Sequence, residues 1–142
     1  MMQIRPFEPA DESAVVALWK ECRLTRPWNN PHKDIARKLA VQPELFLVGV
    51  VNEAVIATVM AGYEGHRGWV NYLAVAPAFR GRGFARELME RVEQLLLRRG
   101  CPKVSLLVRT SNPEAVAFYR HLGYVQDDAV SLGKRLIVDE PA

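Results

Sequence analysis

Apolar residues along the chain change their spacing several times, and each change marks an element. Residues 3–7 read as a short strand. After Pro9-Ala10-Asp11, the positions Val15, Leu18, Trp19 and Cys22 recur at three- and four-residue steps, the spacing of one helical face. Prolines and asparagines make residues 26–31 a loop, and a short helical pattern over 35–39 ends before Pro43. Valine-rich runs at 45–51 and 54–61 flank Asn52-Glu53, which predicts a hairpin. A glycine-bounded loop at 62–68 leads to a further strand over 69–75.

Ala76-Pro77 stops that strand. A glycine turn then opens a long amphipathic helix with Phe84, Leu88, Val92, Leu95 and Leu96 on one stripe, and Gly100 and Pro102 end it. Residues 104–108 are almost continuously apolar, as in a strand covered on both faces. Ser111-Asn112-Pro113-Glu114 supplies capping side chains and a proline suited to a first turn, so the next helix runs through Val116, Tyr119 and Leu122 to Gly123. Tyr124-Val125 and residues 131–138 are expected to be closing strands. The chain reads as α/β (α+β), without repeats.

With 142 residues, 49% of them hydrophobic, the chain has the size and apolar content of one domain, residues 1–142. A net charge of +3 from 19 basic and 16 acidic residues does not imply nucleic acid. Cys22 and Cys101 belong to no metal or disulfide pattern, so no metal is expected. The start lacks the apolar run of a signal peptide, and Asn52-Glu53 interrupts the one stretch resembling a membrane span. A cytoplasmic protein without a membrane partner is expected.

The turn Arg80-Gly81-Arg82-Gly83-Phe84-Ala85 carries the first chemical signal. A helix that opens after a strand presents unpaired N–H groups and the positive end of its dipole, which together attract anions. Arg80, Arg82 and Arg86 oppose that dipole by ~0.3–1 kcal/mol each, and a bound diphosphate reverses the penalty. Gly81 and Gly83 let the backbone curl around phosphate oxygens with positive φ. Arg86 stands where a dinucleotide fingerprint has glycine or alanine, and no Gly-Lys-Ser/Thr follows, which excludes both better-known phosphate loops. Two glycines among arginines also suit a solvated helix start, and the turn alone does not separate these readings.

Arg80-Gly81-Arg82-Gly83-Phe84-Ala85 resembles the Arg/Gln-x-x-Gly-x-Gly/Ala motif of the GCN5-related N-acetyltransferases (GNAT). A second stretch, Asn112 to Tyr119 followed by Leu122-Gly123-Tyr124, is similar to that family's Asn-to-Tyr helix. More narrowly, Arg26-Pro27-Trp28, Gly65-His66-Arg67-Gly68 and Ser131-Leu132-Gly133-Lys134-Arg135-Leu136-Ile137 resemble the YpeA-type bacterial acetyltransferases. The resemblance implies a mixed, mostly antiparallel central sheet of about six or seven strands flanked by about four helices. It also implies acetyl-CoA as cosubstrate, held by Arg80, Gly81, Arg82, Gly83, Phe84 and Ala85, by Asn112, and by backbone groups of Leu73, Ala74 and Val75. Tyr119 is then the candidate general acid for the departing thiolate; a phenol with pKa near ~10 stays protonated at neutral pH. Helix capping explains Asn112 equally well, and core packing explains a tyrosine at 119.

The implied reaction moves an acetyl group to an amine of a small molecule or of a peptide or protein N-terminus. The base is open. Some ribosomal-protein N-terminal acetyltransferases of this superfamily carry a glutamate where this chain has Leu107, so Glu64, His66 and a water relay remain candidates. Trp28 and its loop either line the acceptor cleft or anchor to the core. An acetyl-CoA sensor without turnover remains an alternative, as do monomer and homodimer.

Overall fold

The structure, a computed structural model, describes residues 1–140. One sheet runs in the order β1 (Gln3–Pro6), β2 (Phe46–Val51), β3 (Ala54–Tyr63), β4 (Gly68–Val75) and β5 (Val104–Leu106). Neighbouring strands are antiparallel except β4 and β5, which run parallel. Helices α1 (Glu12–Glu21), α2 (Pro31–Leu39), α3 (Phe84–Arg98) and α4 (Pro113–His121) flank the sheet. Among the described residues no helix is long and apolar enough to cross a membrane.

Alternation along the strands splits the core between the two faces of the sheet. Leu47, Ala57 and Val59 meet Phe84, Leu88, Val92 and Leu96 of α3 on one face. Phe46, Val48 and Met60 meet Val15, Trp19 and Ile35 of α1 and α2 on the other. The predicted stripe of α3 is therefore its buried face, and each fully buried leucine in it contributes about 1.5–3 kcal/mol relative to exposure. α3 ends in a Schellman arrangement: Gly100, at φ 80°, donates to the Leu97 carbonyl, and Cys101 donates to that of Leu96. The predicted turn between β2 and β3 has both central residues left-handed, Asn52 at φ 49° and Glu53 at φ 66°.

β4 carries the feature that shapes the rest. Thr58 of β3 pairs with Ala74 and Met60 with Asn71, so two residues, Tyr72 and Leu73, stand opposite Val59 in a bulge. Tyr72 has φ 53°, a costly conformation for a bulky side chain. Specific contacts hold it there. Its ring stacks on buried Trp19 at 3.8 Å between centroids, and its hydroxyl donates to Asp34 at 2.6 Å. Its carbonyl accepts from the Thr58 hydroxyl at 2.8 Å, and Thr58 in turn accepts from the Trp19 indole at 2.9 Å.

The expected sheet of six or seven strands needs correction: the described residues form five. Residues 124–125 and 131–138 are not strands, and the expected strand over 104–108 shortens to three residues paired with Gly68, Trp69 and Val70. Alternating apolar residues favour a strand only where a partner edge meets them in register. Here polar anchors draw the segment elsewhere. Arg135 donates to Asn29 at 2.8 Å, and buried Asp139 accepts a bidentate pair from Arg37 at 2.7 and 3.1 Å. Val130, Leu132 and Leu136 stay more than 80% exposed as a result.

Candidate functional site

Beyond Val70, no strand among the described residues pairs with the outer side of β4, so a gap opens between β4 and β5 toward Val75. Backbone groups alternate along an antiparallel strand, and Ala76 donates to Ile56 of β3. By that parity Ala74 faces β3, whereas Leu73 and Val75 turn toward the gap. The Val75 carbonyl is already engaged, accepting from Arg80 Nε at 3.0 Å and from the Cys22 thiol at 3.5 Å. Leu73 thus presents backbone to the gap, and Val75 its N–H.

The chain then passes through a short 3₁₀ turn at Pro77–Phe79 into the glycine turn. Gly81 has φ 79° and Gly83 φ 81°, and a Cβ built on either would meet no protein atom within 4 Å. Both glycines therefore line open space in a conformation that L side chains resist. No side chain caps α3, and the N–H groups of residues 81–85 find no acceptor among the described residues. Arg82 stacks 5.1 Å from the Phe79 ring centroid. Neither Arg80 nor Arg82 has a carboxylate partner among the described residues, while Arg86 lies 3.8 Å from Glu90 on the exposed helix face. The Phe84 side chain is buried in the core, so its contribution here is its N–H.

Asn112 caps α4, its side-chain oxygen accepting from Ala115 N at 3.1 Å, which leaves the amide nitrogen free to donate. Tyr119, on the half-buried face of α4, packs against the α3-side core and meets Tyr124 edge-on at 5.7 Å. Burial pushes its phenol up to about 12. Its hydroxyl has no hydrogen-bond partner among the described residues, unlike those of Tyr72 and Tyr124, which donate to carboxylates. The turn and α4 thus share the α3 side of the sheet.

Glu64 and His66 lie on the hairpin before β4, at the end of that strand opposite Val75. An eight-residue strand separates that end from the glycine turn, about 25 Å by strand rise. Glu64 accepts from the backbone of His66 and, at 2.6 Å, of Arg67; these hydrogen bonds hold its carboxyl below the usual range. It is a turn-forming residue, and both side chains belong to the end of β4 away from Val75 and the glycine turn. No cluster of three metal-ligating side chains forms among the described residues.

Trp28 is half exposed, with the Arg109 guanidinium 5.8 Å from its ring centroid. The α1–α2 loop therefore meets the β5–α4 loop across the mouth of the gap. The terminal segment is latched beside it by Asp139, whose carboxyl is held down to about 2 chiefly by the Arg37 hydrogen bond. A carboxyl lowered on folding contributes stability above its unfolded pKa, near ~3.9, and loses that contribution as pH falls toward the folded value. The latch should therefore release between about pH 4 and 2. Asp139→Asn removes the charge at neutral pH and is expected to speed tryptic cleavage after Lys134 and Arg135 on the order of tenfold. Unchanged cleavage in a timed digest would contradict the latch.

An acetyltransferase of Yersinia enterocolitica, YE1169, is 51% identical over 139 residues, which cover 98% of this chain and 99% of that protein. Among solved structures, Ard1 from Thermoplasma volcanium superposes with a TM-score of 0.76 at 28% identity, over 87% of this chain and 82% of that one. A predicted acetyltransferase from Clostridium acetobutylicum, solved with acetyl-CoA, shares the fold with a TM-score of 0.73 at 20% identity, over 94% and 96% of the two chains. The acetyltransferase (GNAT) family matches residues 13–124. The chain belongs to the GNAT family of acetyltransferases.

Proposed function

We propose that this acyltransferase moves the acetyl group of acetyl-CoA to an amine of a small molecule or of a peptide or protein N-terminus, by direct attack in a ternary complex. One observation carries the reading: N–H groups without a partner among the described residues and two left-handed glycines at the mouth of α3 adjoin the stretch of β4 beyond Val70, whose outer edge β5 leaves unpaired. These residues fit the cosubstrate. Diphosphate oxygens suit the N–H groups of residues 81–85 between Arg80 and Arg82. The amide-bearing pantetheine arm suits the outward backbone of Leu73 and Val75, and the Asn112 amide nitrogen is a further donor.

Acetyl-CoA supplies a thioester, whose carbonyl carbon forms the new C–N bond with the amine as the C–S bond breaks. Tyr119 holds a proton that passes to the thiolate sulfur, and its raised pKa keeps that proton in place across the physiological range. The attacking amine loses its proton through water, since Glu64 and His66 lie at the end of β4 opposite Val75 and the glycine turn. Free thiol release from acetyl-CoA with a broad amine and peptide panel tests the reaction. Amine-dependent release is expected; binding without release from any acceptor would leave a sensor instead of an enzyme.

A further inference from the structure

Beside the α1–α2 loop, an open surface groove is lined by Trp28, Arg37 and the exposed residues 133–137. Its charge is one-sided. Asp139 is buried against Arg37, and Asp34 accepts from Tyr72, with Arg37 3.5 Å away, so these two carboxylates are already engaged. Lys134, Arg135 and neighbouring Arg109 form no ion pair among the described residues. Arg135 is nonetheless held in place by two neutral acceptors, Asn29 Oδ1 at 2.8 Å and the Ile137 carbonyl at 3.4 Å. Arg109 lies over Trp28, and its carbonyl accepts from Asn112 N at 2.9 Å, which ties the groove to the start of the helix bearing Tyr119.

We propose that this groove receives the acceptor, and that the acceptor is a small amine carrying an anionic group, a carboxylate or a phosphate, bound by Lys134 and Arg135. The inference rests on the acetyl-transfer reading and gives it a substrate class. Arg135, held by its two neutral acceptors, and the exposed Lys134 beside it attract an anion and repel a polycationic amine, and the exposed indole face covers the apolar part of the ligand.

Matched amines test it: β-alanine against β-alaninamide, and phosphoethanolamine against ethanolamine, with thiol release from acetyl-CoA as the readout. The acidic member of at least one pair is expected to show kcat/KM at least about tenfold above its neutral partner, and the two pairs distinguish carboxylate from phosphate. In the Lys134→Ala, Arg135→Ala double variant that advantage should vanish through KM, with kcat nearly unchanged. Equal or better use of the neutral members or of spermidine overturns the proposal, as does a panel in which no acidic amine accepts.

A second readout needs no acetyl-CoA. The Trp28 indole N–H signal, assigned with Trp28→Phe, should shift saturably when the free chain is titrated with β-alanine or phosphoethanolamine, and stay still in the double variant. No shift with either compound also overturns the proposal. The double variant should bind acetyl-CoA like the parent chain, so failure of the groove and failure of the cosubstrate site are separately visible.

Discussion

Gly83→Ala is expected to remove about half or more of the stabilisation that acetyl-CoA gives this chain. At 100 times its dissociation constant a ligand raises stability by about 2.7 kcal/mol; affinity weakened tenfold or more cuts that to about 1.4 or less. Two effects act together. A side chain at φ 81° costs about 1–2 kcal/mol in backbone strain, and the Cβ enters the open space before the N–H groups of the turn. Gly100 separates them, because it sits at φ 80° in open space at the other end of the same helix. Gly100→Ala should lower the melting temperature comparably while keeping the full ligand-induced shift. Equal shifts in both variants would place the ligand away from the glycine turn.

Tyr119→Phe is expected to lower kcat by about 10²–10⁴-fold, the usual scale for a positioned acid, and to leave acetyl-CoA affinity nearly intact. The hydroxyl it removes has no protein partner among the described residues, so the variant breaks no internal hydrogen bond and should fold normally. Burial sets the pH behaviour. With the phenol pushed up to about 12, turnover should not fall through Tyr119 ionisation below about pH 11. A decline near pH 10 that disappears in the phenylalanine variant would contradict the buried environment. Parent-like turnover in that variant would remove the assigned role.

Local signals were legible where neighbouring residues alone decide the outcome. The stripe of α3, its glycine end and the Asn112 cap follow from spacing and short-range hydrogen bonding, and the structure realises each. The positively charged turn was equally readable, since helix dipole, arginines and glycines lie within a few residues. Long-range contacts hid the rest. No propensity places Tyr72 at positive φ; Trp19, Thr58 and Asp34 hold it there, and Asp34 lies 38 residues away in sequence. A threonine within the valine-rich run of β3 was the faint clue. The alternation over 131–138 suggested a strand, but Arg37, 102 positions from Asp139, ties that stretch to α2. Polar residues in the loop before β4 suggested a base, yet only the strand direction reveals that Glu64 lies at the far end from the turn.

Calorimetric titration of the purified chain with acetyl-CoA, at low and at physiological salt, tests the diphosphate cradle most directly. Saturable one-to-one association that weakens as salt rises is the predicted result, because Arg80 and Arg82 meet phosphate charge at a solvent-open turn. Absence of any heat of binding at low salt, from a chain shown to be folded, would contradict it.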